Sequence, residues 1–283
     1  MIAIDFDYTK ASSLQDAVWR HTKAMEGGIS PLYYAGGTEI ITFARLGLVR
    51  PDLVIDIKEI AETGVVEVTE PGTSLVTGAG VTLSAITDHP LLSREFPLLQ
   101  RTVAEIADRT ARNKITLGGN ICGQIFYREA VLPFLVCDSL IRLVGPKGKR
   151  ELPIMQVFRE TLQLSPGELL VQLVTDETWR RAPFLHVKRR KMGDVGYPVV
   201  TATAVRRGGQ IRAAFSGVTA FPFRSLSMER ALSQEGASTE ERVENAVQFL
   251  PEREVLDDFE ASRGYRRFVF REVLTHILRE IGR

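Results

Sequence analysis

The chain has 283 residues, 44% hydrophobic and 25% charged, enough apolar material for two or three small domains with their own cores. Lys and Arg number 36 against 35 Asp and Glu, and a formal net charge of +1 argues against a nucleic-acid-binding or a disordered acidic protein. Two cysteines, Cys122 and Cys137, cannot ligate an iron–sulfur cluster, which needs about four, so any such centre is expected on another chain. The cysteines are expected to be free and buried, and His21, His89, His186 and His276 lack metal-ligand spacing, so no metal site is expected. The longest apolar stretches, such as 130–137, are too short to span a bilayer, and the Met1-Ile2-Ala3-Ile4 start lacks a secretory pattern. The expectation is a cytoplasmic chain with no membrane segment.

The pattern predicts a helix over 13–25 capped by Ser12 or Ser13, a strand over 32–34, a helix after the first Gly-Gly turn and a strand over 53–57. These make a βαβ-like first block, 1–57. The second block, 58–178, opens with a hairpin of 65–68 and 74–80 turning at Glu70-Pro71-Gly72. Helices over 82–88, 98–107 and 128–134 follow, then strands over 140–144 and 168–174 with the turn Gly145-Pro146-Lys147-Gly148 between them. The third block, 179–283, reads as a meander of 184–187, 199–205 and 211–219 with a hairpin turn at Arg207-Gly208-Gly209-Gln210. Amphipathic helices over 225–233, 239–249 and 263–279 close the chain, and Arg263, Arg266, Arg267 and Arg271 read as a solvated helix face. The fold class is α+β.

Two glycine pairs carry the chemistry: Ala35-Gly36-Gly37-Thr38-Glu39, flanked by Tyr34 and Ile40, and Thr116-Leu117-Gly118-Gly119-Asn120. The first lies between a strand and a helix start. Glycine lets the backbone approach a phosphate and take positive φ, and free N–H groups at a helix start point at negative charge. Two such turns suit one pyrophosphate, although Gly-Gly pairs also occur in plain bends. Neither pair fits Gly-x-Gly-x-x-Gly or the P-loop pattern, which counts against a Rossmann fold or a P-loop NTPase. No Ser/His/Asp or Cys/His constellation marks a catalytic acid, base or nucleophile.

Ala35-Gly36-Gly37-Thr38-Glu39-Ile40, Pro51-Asp52-Leu53-Val54-Ile55-Asp56-Ile57, Thr116-Leu117-Gly118-Gly119-Asn120-Ile121-Cys122, Leu132-Pro133-Phe134-Leu135-Val136-Cys137-Asp138 and Ser165-Pro166-Gly167-Glu168-Leu169-Leu170 follow in that order. Together they resemble the FAD-binding medium subunit of the molybdenum hydroxylases, the xanthine dehydrogenase and CO dehydrogenase type, over nearly the whole chain. The resemblance implies a two-part FAD-binding domain of the vanillyl-alcohol-oxidase (PCMH) type, followed by a C-terminal domain with a small antiparallel sheet and helices. It implies FAD on this chain, with both glycine turns at its pyrophosphate. A large molybdopterin-binding subunit would carry the molybdenum cofactor, a small subunit the [2Fe–2S] clusters, and electrons would pass through FAD to NAD⁺ or another acceptor. Xanthine or hypoxanthine is the leading substrate of such a complex. A stand-alone flavin oxidase or reductase and a non-catalytic scaffold subunit are the alternatives.

Three positions depart from the family pattern. Glu129 falls where the family has an Asp, and either accepts a hydrogen bond from a ribose or ribityl hydroxyl or simply favours a helix start. His186 stands where a Lys faces the flavin. It either supplies a pH-sensitive charge there, with Lys188 on the same strand face as a substitute, or is an exposed strand residue without a role. Val195 takes the place of a residue over the flavin ring, with Tyr197 two positions on. Leu170 matches a leucine that packs on the ring, and a plain core role is the alternative.

Overall fold

The first strand, β1 (Asp7–Lys10), is mostly exposed and polar, so no apolar alternation announces it in the sequence. The computed structural model describes residues 5–69, 73–193 and 196–282. Helix α1 (Leu14–Glu26) starts where expected, with Ser13 as N-cap accepting a hydrogen bond from Asp16 N. After it come β2 (Pro31–Tyr34), α2 (Thr38–Arg45) and β3 (Leu53–Asp56). The strands form a parallel sheet in the order β1-β3-β2, one strand larger than the expected unit.

The hairpin of β4 (Val66–Thr69) and β5 (Ser74–Gly78) forms in register, while its expected turn at Glu70-Pro71-Gly72 lies outside the described residues. Next come α3 (Leu83–Asp88), α4 (Pro90–Glu95), α5 (Pro97–Ala104), α6 (Arg109–Arg112), α7 (Leu117–Cys122) and α8 (Leu132–Val136). Pro90 and Pro97 each open a helix, a position where the missing N–H costs nothing. The helix expected over 128–134 is instead a 3₁₀ turn, Glu129–Val131, running into α8, which has Pro133 in its first turn. Then follow β6 (Leu140–Gly145), β7 (Gly148–Pro153), α9 (Ile154–Val157), β8 (Phe158–Arg159), β9 (Thr161–Leu162) and β10 (Leu169–Asp176). The turn at Gly145 leads into β7, not directly toward β10; β7 is a charged, exposed edge strand that lacks an apolar signal. The five-stranded sheet runs β4-β5-β10-β6-β7.

A short helix α10 (Glu177–Arg180) precedes the last sheet, β11 (Phe184–Arg190), β12 (Pro198–Arg207), β13 (Gln210–Ser216) and β14 (Phe223–Arg224), one strand more than the expected meander. Helices α11 (Leu226–Leu232), α12 (Thr239–Val247) and α13 (Arg263–Ile281) match expectation, with Ser225, Ser238 and Ser262 as N-caps. The Arg263–Arg271 run is not a solvated face throughout. Arg266 is fully buried, donating to the carbonyls of Val199 at 2.9 Å and Gly217 at 2.5 Å and to Asp258 at 2.5 Å. A guanidinium with several donors can sit in a core when carbonyls and a carboxylate receive them.

The chain folds as two units. The first comprises Met1–Ile86, Arg109–Gln124 and Ser139–Thr175, and the second Thr87–Asp108, Ile125–Asp138 and Asp176–Arg283. In the first, Leu14 and Ala17 of α1 pack with Ile55 and Ile57 and with Val144, Leu169 and Val171 of the larger sheet. In the second, Val200, Ala202 and Ala204 of β12 join Phe270, Val273 and Leu274 of α13 in one core. Cys137 is buried as expected, whereas Cys122 is exposed; both are free thiols.

Candidate functional site

In the first unit the strand β2 ends at Tyr34, opposite Asp56, and Gly37 becomes the N-cap of α2 in the left-handed region at φ 71°. The positive φ favours glycine, and a Cβ there would also fall 2.3 Å from the Tyr34 ring, which would have to move aside. Gly37 offers no side-chain cap, which leaves the Gly37 and Thr38 N–H groups at the start of α2 to a ligand or water. Thr38 is exposed at this opening, and Ile40 is half-buried one turn in. Lys58 Nζ lies 4.5 Å from the centre of the Tyr34 ring and, with the Tyr8 hydroxyl, bonds the buried Asp56 carboxylate.

The two glycine turns meet. An added Cβ on Gly36 would lie 2.0 Å from the carbonyl oxygen of Lys114 and 3.2 Å from Thr116 N, backbone atoms that cannot rotate aside. A second link lies beside it, where Glu39 Oε1 accepts a hydrogen bond from Gln124 N at 2.7 Å. Thr116 caps α7, its buried hydroxyl accepting from Gly119 N at 3.1 Å.

The turns are not equivalent, though the sequence treats them alike. In the second, Leu117 N donates to Val81 O at 2.9 Å, Gly118 N to Ala79 O at 2.7 Å and Asn120 N to Thr116 O at 2.9 Å. Its N–H groups are therefore committed, and Gly118 presses on Ala79, where a Cβ would lie 2.7 Å from the alanine methyl. Gly119, by contrast, is exposed, so the second turn offers a bare backbone face beside a first turn that offers N–H groups. Both features fit a pyrophosphate: donors on one side, and no side chain between it and the backbone on the other. Leu170, also in this unit, is 2% exposed on β10, where it pairs with Leu143.

Glu129 and His186 belong to the second unit, and there they form one buried polar cluster. Strand alternation puts His186 and Lys188 on one face of β11, in register with Thr203 and Thr201 of β12. Glu129 is held through both oxygens, by Lys188 Nζ at 2.7 Å and the Thr201 hydroxyl at 2.5 Å, so it does more than favour a helix start. Lys188 also donates to Glu105 O at 2.8 Å. His186 is not an exposed strand residue: its side chain is fully buried, with Nδ1 3.2 Å from the hydroxyls of both Thr102 and Thr203. Val195 lies outside the described residues; Tyr197 is exposed and stacks on Tyr127 at 4.4 Å. The sequence reading passed over Thr102, Glu105, Thr201 and Thr203, although the Thr-Ala-Thr-Ala alternation of β12 was visible.

Burial, with the charges of Lys188, Arg101 and Arg190, pushes the His186 imidazole down to about 3, so it is neutral near pH 7 and cannot supply the pH-sensitive charge expected of it. Among the described residues its Nε2 has no hydrogen-bond partner, and Glu105 Oε1 stands 4.0 Å away. On acidification the unfolded chain, with an ordinary histidine near ~6.5, takes up this proton first. Stability is therefore complete above that value and is lost as pH falls toward 3. Going from pH 7.5 to 5 should cost about 2 kcal/mol from this residue alone. Urea unfolding at both pH values should show that loss in the parent and a smaller one in His186→Gln; equal losses would mean that His186 is not held neutral.

The sequence profile of a family described as the FAD binding domain in molybdopterin dehydrogenase matches residues 4–174. The glyceraldehyde dehydrogenase medium chain of Sulfolobus acidocaldarius is 24% identical over 283 residues, covering 98% of this chain and 99% of that protein. The carbon monoxide dehydrogenase medium chain of Afipia carboxidovorans is 28% identical over 223 residues, 77% of this chain and 75% of its own length. Among solved structures, quinoline 2-oxidoreductase of Pseudomonas putida 86 superposes with a TM-score of 0.85 at 21% identity, covering 99% of this chain and 98% of that one. That likeness establishes the α+β fold.

Proposed function

Because the chain belongs to the family of FAD-binding domains of molybdopterin dehydrogenases, and is thus an FAD-binding oxidoreductase subunit of molybdenum-hydroxylase type, we propose that it is the electron-transfer component of a multi-subunit complex. A large subunit would hold the molybdenum cofactor and a small one the [2Fe–2S] clusters, consistent with a chain whose two cysteines cannot ligate a cluster. The medium-chain designation of both relatives supports this organisation. The substrate would be oxidised on the large subunit, with xanthine or hypoxanthine the proposed substrate and NAD⁺ or another carrier the proposed acceptor.

FAD, when bound, supplies the redox chemistry, and the protein's part is to bind and orient it. The observation that carries the proposal is the backbone contact between Gly36 and Lys114, which joins the two turns into one cradle. The N–H groups of Gly37 and Thr38 and the Thr38 hydroxyl would face a pyrophosphate from one side, with Ala35 and Glu39 framing them. Thr116, Leu117, Gly118, Gly119 and Asn120 would form the other side. Leu170, Glu129 and His186 are assigned to the cofactor by resemblance, His186 as an uncharged group.

No attachment motif for flavin exists in the sequence, so binding should be noncovalent. Acid precipitation of the yellow protein is expected to leave all the flavin in the supernatant. Flavin retained on the pellet would contradict that reading.

A further inference from the structure

The second unit contains a cavity of about 720 Å³ with a basic wall, formed by Thr178, Arg181, Arg206, Arg207, the Gly208-Gly209 turn and Glu280. The size falls within the range of small-molecule sites, roughly 300–1,000 Å³. Arg181 is already neutralised, bonding Glu95 Oε2 through Nε at 3.0 Å with Glu177 3.8 Å away. Arg207 spends one donor on Thr178 O at 3.1 Å. Arg206 makes no ion pair or hydrogen bond through its side chain among the described residues, although it is half-buried.

A second guanidinium stands close to Arg206. Among the described residues the Arg242 side chain bonds the Leu232 carbonyl alone, and burial together with the charge of Arg206 lowers its affinity for its proton. Like charges that face each other without an anion between them repel, and the repulsion grows as water is excluded. The acids around it are Glu280, 3.9 Å from His276, Glu235 beside Gly209, Glu177 beside Arg181, and Asp176, which feels the charge of Arg207 and caps Thr178 N at 2.8 Å. The turn adds backbone donors. Gly208 and Gly209 both have positive φ, 54° and 82°, and lie beyond the last ladder pair, Arg207 with Gln210. A Cβ on Gly208 would touch nothing within 4 Å, so this backbone is open to a ligand.

We propose that this cavity binds a phosphate-bearing anion, a pyrophosphate group either free or carried by a nucleotide, with Arg206 and Arg207 as its principal ligands. Planar guanidinium forks match phosphate oxygens in pairs, and among the described residues Arg206 spends none of its side-chain donors and Arg207 one. The site is separate from the glycine turns, which belong to the first unit, and does not rest on the flavin reading.

The test is calorimetric titration of the full chain, loaded with one equivalent of FAD for the glycine turns and freed of any excess, using inorganic pyrophosphate in one arm and ADP in the other. Saturable binding of pyrophosphate identifies a site for the bare group, and binding of ADP alone identifies a nucleotide site; either supports the proposal. Arg206→Gln and Arg207→Gln should each weaken binding roughly tenfold or more, the loss expected for a charged hydrogen-bonding partner. Arg253→Gln, which removes the same charge at an exposed position away from the cavity, should change nothing. Absence of saturation in both arms would overturn the proposal. So would full affinity in Arg206→Gln, or an equal loss in Arg253→Gln, which would signify diffuse charge attraction.

Discussion

Gly36→Ala is expected to destabilise the protein by about 3 kcal/mol and to weaken FAD binding by roughly a hundredfold or more, the upper part of the range for overpacking a rigid contact. The reason is local: the new methyl would lie 2.0 Å from the Lys114 carbonyl oxygen, and only movement of one turn away from the other relieves it. Gly119→Ala makes a useful comparison, because its Cβ meets only the Thr116 hydroxyl, at 2.8 Å. That variant should fold, losing about 1 kcal/mol as the cap is disturbed. It should still bind FAD less well, because the exposed backbone face is now covered. Urea unfolding and flavin-fluorescence titration of both proteins read the two effects separately. Parental stability and affinity in Gly36→Ala would mean that the turns do not work as one cradle.

Lys188→Met should cost about 3–5 kcal/mol, the usual penalty for leaving a buried charge without its partner. Among the described residues Glu129 would keep the Thr201 hydroxyl, and Glu105 O would keep Arg190 Nη2 at 3.1 Å. Removing both charges, in Lys188→Met with Glu129→Leu, should recover most of the loss, because two apolar side chains of similar size need no compensation. Chemical unfolding of the parent, the two single variants and the double variant gives the coupling directly. Simple additivity of the two single losses would contradict a tightly paired buried charge.

How far the fold could be read from sequence followed how apolar each element is. The helices α1, α11, α12 and α13 carry serine caps and an apolar face, and each was legible to within a few residues. Among the strands that escaped notice, β1 and β7 are polar and exposed, and they are held by backbone pairing with polar side-chain bonds such as Tyr8 to Asp56 and Arg150 to Glu168. At the glycine turns the sequence signals close backbone approach, and the structure shows it at Gly36. That the second turn's N–H groups are taken by Ala79 and Val81 was beyond its reach, because those carbonyls lie more than thirty residues away in the chain. His186 shows the same limit. Its strand position is local information, whereas its burial depends on Thr102 from α5 and Thr203 from β12.

The central claim is that the paired turns hold a pyrophosphate, and comparing FAD with FMN tests it most directly. Both carry the same flavin, but only FAD has the pyrophosphate and adenosine. Titrating each into flavin-free full-length protein and following flavin fluorescence should give saturation at one FAD per chain, with FMN bound roughly a hundredfold more weakly or not at all, as expected when several charge-assisted contacts are lost. Equal affinity for the two would contradict the account, because it would place the binding energy on the flavin ring and leave the cradle at Gly36 and Gly119 without a ligand.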